Sequence, residues 1–149
     1  MSALFSKKNR IATDLAQQGF VPLALQYVAG DRIYMPPNIP FDKLNNALSS
    51  YVLGVNPQYV IALIDETPFG SAKNGMLITF DVIYVKDAFE DAKMIRIQEI
   101  RSITCNVGLM GADVFINGEK FIGLTQPNKK GIANICGQIN AFVAQNMRI

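Results

Sequence analysis

The stretch "DVFINGEKFIGL", residues 113–124, constrains the fold more than any other part of the chain. Asn117 and Gly118 both tolerate positive φ, which a type I′ turn requires, and the twist of that turn matches two paired antiparallel strands. A hairpin is therefore expected here. A hairpin alone is marginal in water and needs more strands or a helix on its apolar face.

The chain supplies both. Pro127 closes the strand region, and Asn128 is placed to cap a final helix. Ile132, Ile135, Cys136, Ile139, Phe142 and Val143 make a continuous apolar stripe along it. Gly131 and Gly137 each cost such a helix about 1 kcal/mol relative to Ala, and their lack of side chains suits a close approach to a sheet. Upstream, "YVIALIDET" and "GMLITFDVIYV" are rich in branched residues, and the second alternates only in part, as a strand buried on both faces would. "KMIRIQEI" puts Ile95 and Ile97 on one side until "QEI" breaks the phase, so a bulge or bend is expected there. In "IPFDKLNNALSSYVLG", Phe41, Leu44, Ala47, Leu48, Tyr51 and Val52 recur at helical steps, and Gly54 and Pro57 end the pattern.

The first 39 residues read as an arm. "SKKNRIATDLAQQ" has helical spacing through Ile11, Ala12, Leu15 and Ala16. "LALQYVAGDRIYM" suggests a hairpin with Gly30 and Asp31 in its turn, and "PPNIP" reads as a linker. The expected organisation is an arm, 1–39, followed by one domain, 40–149.

With 149 residues, 50% of them hydrophobic and 17% charged, the chain can bury a core and is not of disordered composition. The net charge is +2, without the basic excess that duplex binding draws on, so no nucleic-acid partner is expected. The opening "MSALFSKKNR" has too short an apolar patch for a signal peptide, with its cations after the patch. No apolar run approaches the roughly 20 residues of a membrane span. A cytoplasmic location follows as the expectation. In that compartment Cys105 and Cys136 are expected as small buried apolar groups and not as a disulfide.

The order of helix, meander of antiparallel strands and C-terminal amphipathic helix resembles pleckstrin-homology-like (PH-like) domains. The "GMLITFDVIYV" strand opened by a glycine and the stretch "IRIQEIRSI" resemble their bacterial branch, and "LIDETPFGSAKNGMLIT" is the most characteristic part. The likeness covers about residues 40–147. It implies an α+β fold: a strongly bent antiparallel sheet or partial barrel capped by the C-terminal helix, here with an additional N-terminal helix and hairpin arm. It also implies a binding or assembly module with no cofactor, an inference by analogy of fold.

Chemistry is sparse in the sequence. There is no histidine, which removes the commonest general base and a common metal ligand. The loop "DETPFGSAKNGM", residues 65–76, lacks the spacing of a P-loop, and Lys73 stands alone near two acids, a poor anion clamp. Ser71 with Lys73 could form a hydrolase dyad only if the lysine were desolvated, and a glycine-rich polar loop offers no burial. Asp87, Glu90 and Asp91 in "KDAFEDAK" lack calcium-loop spacing and read as a solvated connection. No catalytic residue and no metal site is therefore assigned.

The candidate binding residues are Asp65, Glu66, Ser71, Lys73 and Asp81. Asp65 and Asp81 sit among apolar neighbours, and an unpaired buried charge is very costly. Asp65 or Glu66 is expected to meet Lys73 or a turn amide, and Asp81 a Lys or Arg across the sheet. The functional expectation is a protein-binding or self-associating module, a homo-oligomer included. The alternative is peripheral binding to anionic membrane through Lys7, Lys8, Arg10 and Lys73.

Overall fold

A computed structural model describes residues 21–146. The expected helix over "SKKNRIATDLAQQ" and the cations Lys7, Lys8 and Arg10 lie outside the described residues. Among the described residues, two antiparallel sheets and two α-helices make up the fold. The first sheet runs in sequence order through β1 (Ile33–Tyr34), β2 (Val60–Asp65), β3 (Gly75–Thr79), β4 (Val82–Lys86) and β5 (Lys93–Arg96). The second is the meander β6 (Ile103–Val107), β7 (Ala112–Ile116) and β8 (Glu119–Leu124). Helix α1 (Phe41–Ser50) lies between β1 and β2, and α2 (Lys129–Asn146) follows β8.

The alternation of β2 and β3 divides the interior into two cores. Ala62, Ile64, Met76 and Ile78 face the main core, which also takes Val114, Ile122 and the α2 stripe of Ile132, Ile135, Cys136, Ile139 and Val143. Leu63 and Leu77 face the other way and pack with Ala47 and Val52 beneath α1. A strand covered on both sides has no polar face, which is why "GMLIT" reads as an apolar run. Helix α2 packs across β6 and β7, with Asn128 Oδ1 accepting from the Gly131 amide at 2.9 Å as its cap. Asn117 (φ 54°) and Gly118 (φ 84°) form the expected turn between β7 and β8.

Two expectations are corrected. Residues 75–85 are two strands, not one. Between them Thr79 Oγ1 accepts from the Val82 amide at 3.0 Å and donates to Asp81 Oδ1 at 2.8 Å, so a side chain makes the turn where no glycine marks it. Second, "LALQYVAGDRIYM" is no hairpin. Only Ile33–Tyr34 is strand, and it pairs with Leu63–Ile64 of β2. The preceding residues instead bury Leu23 and Val28 in the main core, with the Leu23 amide donating to Phe80 O at 2.9 Å. The bend expected in "KMIRIQEI" is present as a 3-10 turn, Ile97–Glu99, that leads from one sheet to the other.

The glycines of α2 differ in role. A Cβ on Gly131 would lie 2.4 Å from Ile33 Cδ1, so the first helical turn approaches β1 closely; a Cβ on Gly137 would meet nothing within 4 Å.

Candidate functional site

Residues 65–75 leave β2 and return at β3 through a loop knotted around Asp65. That carboxylate has no exposed side-chain surface. Its Oδ1 accepts from the Thr67 amide at 2.8 Å, the Thr67 hydroxyl at 2.5 Å and the Ala72 amide at 3.2 Å. Its Oδ2 accepts from Arg32 Nη1 at 3.2 Å and Lys43 Nζ at 3.1 Å. Burial alone would raise the carboxyl pKa, but the Thr67 hydroxyl and amide, joined by Lys43, hold it below its ordinary value. A charge taken out of water is thus fully paired.

The two cations also fasten the loop's backbone. Arg32 donates to Thr67 O and Pro68 O, and Lys43 to Gly70 O. Helix α1 adds Asn46 Nδ2 to Ser71 O at 2.9 Å and Ser50 Oγ to Lys73 O at 3.1 Å. At the loop's end Gly75 has φ 136°, and a Cβ there would fall 2.0 Å from Ile64 O. Only glycine fits.

The other candidate residues are placed as follows. Glu66 binds the two sheets: its Oε1 accepts from the Thr125 amide at 2.7 Å and the Gln126 amide at 2.9 Å, and its Oε2 from Thr125 Oγ1 at 2.8 Å. Ser71 Oγ accepts from the Lys73 backbone amide at 3.4 Å, and among the described residues no hydrogen bond joins it to the Lys73 ammonium. Asp81 lies at the β3–β4 turn, at the opposite end of β3 from Gly75. The partner of Asp65 is thus a pair of turn amides, as expected, together with Arg32 and Lys43 and not Lys73. Asp81 meets Thr79, not a cation across the sheet. The five residues do not converge on one point. Asp65 is spent internally and has no surface to offer a ligand.

What does converge at the Gly75 end is a cleft that no local pattern indicates. Gly75 of β3 pairs with Lys86 of β4, so the 66–74 and 87–92 loops leave the sheet together. Glu66, Asp87 and Phe89 of those loops, together with the β6–β7 loop and Thr125, line an open cleft of about 640 Å³. Phe89, Leu109 and Met110 line it at 96%, 97% and 83% exposure, with Val107 beside them. Its charged lining is Glu66, Asp87 and Asp113 against Lys120.

Elsewhere, Cys136 of α2 is a buried free thiol and Cys105 of β6 a half-buried one. The interaction of the two thiols lowers the Cys105 pKa and, with burial, raises that of Cys136. Among the described residues no three acidic or thiol side chains gather as a metal-ligand cluster, and no helix is long and apolar enough to cross a membrane. No protein-family model, curated protein or solved structure matches the chain.

Proposed function

We propose that the chain is a non-enzymatic binding or assembly module on a PH-like core, acting through protein–protein contacts that include self-association. The meander β2–β5, the meander β6–β8 and the helix α2 packed on the second of them support the PH-like reading. One observation carries the functional reading: Phe89, Leu109 and Met110 stand almost wholly in solvent around one cleft. Isolated exposed apolar residues are ordinary, but several gathered at one cleft favour an interaction surface.

The β6–β7 loop that carries Leu109 and Met110 is held in place. Lys129 Nζ donates to Gly108 O at 2.7 Å and Leu109 O at 3.3 Å, and the Gly108 amide donates to Gly111 O at 2.8 Å. A preorganised surface loses less ordering entropy on binding.

The test is capture on immobilised full-length chain from an extract of its native cells, wild type beside the Leu109→Ser/Met110→Ser variant. Vesicles of phosphatidylcholine with phosphatidylserine are sedimented with the chain in parallel over a salt series. A protein retained by the wild type and lost by the variant, with the vesicles left empty, is the expected result. Salt-sensitive capture by the vesicles instead would overturn the reading in favour of peripheral membrane binding.

A further inference from the structure

The two cysteines of the chain meet outside the cleft. We propose that Cys105 is a reactive thiol that exchanges with a low-molecular-weight disulfide, and that Cys136 resolves the mixed disulfide by closing a reversible bond between β6 and α2. This chemistry lies apart from the lining of the cleft and does not depend on what the cleft binds.

Backbone placement comes first. Helix α2 packs along β6 and runs antiparallel to it, fastened at two points. The Ile103 amide at the start of β6 donates to Asn140 Oδ1 at 3.0 Å, and Lys129 at the start of α2 donates to Gly108 O and Leu109 O just beyond the strand's end. Between those points the two cysteines come to one level. Cys105 stands two strand residues on from Ile103, about 6.6 Å along, and Cys136 stands four helical residues back from Asn140, about 6 Å in the same direction. Side-chain direction agrees. Successive residues of β6 alternate, so Cys105 shares the face of buried Ile103 and packs against the main core, while exposed Thr104 points away. Cys136 lies in the buried stripe of α2 with Ile132, Ile135 and Ile139.

Unequal exposure divides the roles. Both are free thiols, but Cys105 is half-buried and open to a small oxidant, whereas Cys136 is 3% exposed and shielded from anything in solution. Cys136 holds the Cys105 thiol below its ordinary pKa, against burial and the Asp113 carboxylate, which enriches the nucleophilic thiolate. Cys136 itself is raised, first by Cys105 and then by burial. Once Cys105 is held in a mixed disulfide its thiolate is gone, and with it the part of that rise which Cys105 causes.

The steps balance with glutathione disulfide as the oxidant. The Cys105 thiolate attacks one of its sulfurs, which forms a mixed disulfide and releases one glutathione thiolate. Cys136 then gives up its proton and attacks the Cys105 sulfur, and the second glutathione leaves and takes a proton. One small disulfide is reduced to two thiols while two chain thiols become one disulfide.

The test incubates reduced full-length chain with glutathione disulfide at mildly alkaline pH, blocks the remaining thiols with N-ethylmaleimide and maps the products by mass spectrometry. The expected product is an intramolecular disulfide between residues 105 and 136, with no glutathione retained, that dithiothreitol returns to two thiols. Cys136→Ala should stop at a glutathione adduct on Cys105. In Cys105→Ser, Cys136 should react at least about tenfold more slowly than Cys105 does in Cys136→Ala, and readily once urea unfolds the chain. Wild-type chain that keeps glutathione on Cys105, links only to a second chain or stays as two thiols overturns the inference, as does Cys136 reacting as fast as Cys105. The wild-type product decides the matter even where a variant does not fold. Capture through Leu109 and Met110 is read separately, so the protein-contact reading stands or fails on its own.

Discussion

Asp65 shows how one side chain can decide the shape of a surface without touching a partner. Its carboxylate collects five donors and so fixes the loop that carries Glu66 to Thr125. Buried ion pairs are weak evidence of net stability, yet removing one partner is costly. Asp65→Asn should destabilise the fold by about 3 kcal/mol, the low end for a broken buried pair, because Arg32 and Lys43 keep about a fifth of their surface in water. The pH dependence has a definite sign. The folded pKa lies below the unfolded one, so the Asp65 contribution is fully present above the ordinary aspartate value near 4 and is lost as pH falls through the folded value. In urea melts, the gap between wild type and Asp65→Asn should be constant near neutrality and narrow in acid; a gap that widens in acid would refute this. Tyr51 is the converse case. Its hydroxyl is buried with no hydrogen-bond partner among the described residues, and an unsatisfied buried group costs about 1–3 kcal/mol. Tyr51→Phe should therefore raise stability by about 1 kcal/mol on the same scale, and a loss would reveal a partner for the hydroxyl. That Asp65 needed partners was legible from its apolar neighbours. That Arg32 and Lys43 would supply them was not, because they stand 33 and 22 residues away and no periodicity links them.

At the scale of elements, legibility followed how local each cause is. The Asn117–Gly118 turn, helix α1 and the α2 stripe with its Asn128 cap depend on neighbours in sequence, and all three are present. The β3–β4 turn was hidden because Thr79 makes it with a side-chain hydroxyl and not with the backbone freedom of glycine. The supposed hairpin before Tyr34 shows the reverse error. Gly30 and Asp31 resemble a two-residue turn, but the residues before them bury Leu23 and Val28 in the core instead of pairing. The join between β1 and α2 gives a prediction. Gly131→Ala would push a methyl into Ile33 at the helix's first turn, and overpacking costs about 1–3 kcal/mol, more than the roughly 1 kcal/mol gained in helix propensity. Gly137→Ala meets no neighbour and should gain most of that propensity. Thermal melts of the pair should shift in opposite directions, and a common direction would contradict the packing of α2 on β1.

Over the whole molecule, two sheets and α2 enclose one core while α1 backs the outer face of β2 and β3. This arrangement brings Glu66, Phe89, Leu109 and Thr125 to one cleft from segments up to 59 residues apart. The cleft was invisible in the sequence for that reason: "KDAFEDAK" alone is only a charged loop, and "VGLMGA" alone is only a turn. Both acquire meaning when the strands set them side by side. Protein binding at that cleft is the central claim. The direct measurement places a photo-cross-linking amino acid at position 109 of the full-length chain in its native cells, with position 53 as control, where Leu53 is exposed but away from the cleft. A discrete protein adduct is expected on illumination at position 109 and none at position 53. No adduct at 109, or the same adducts from both positions, would contradict it.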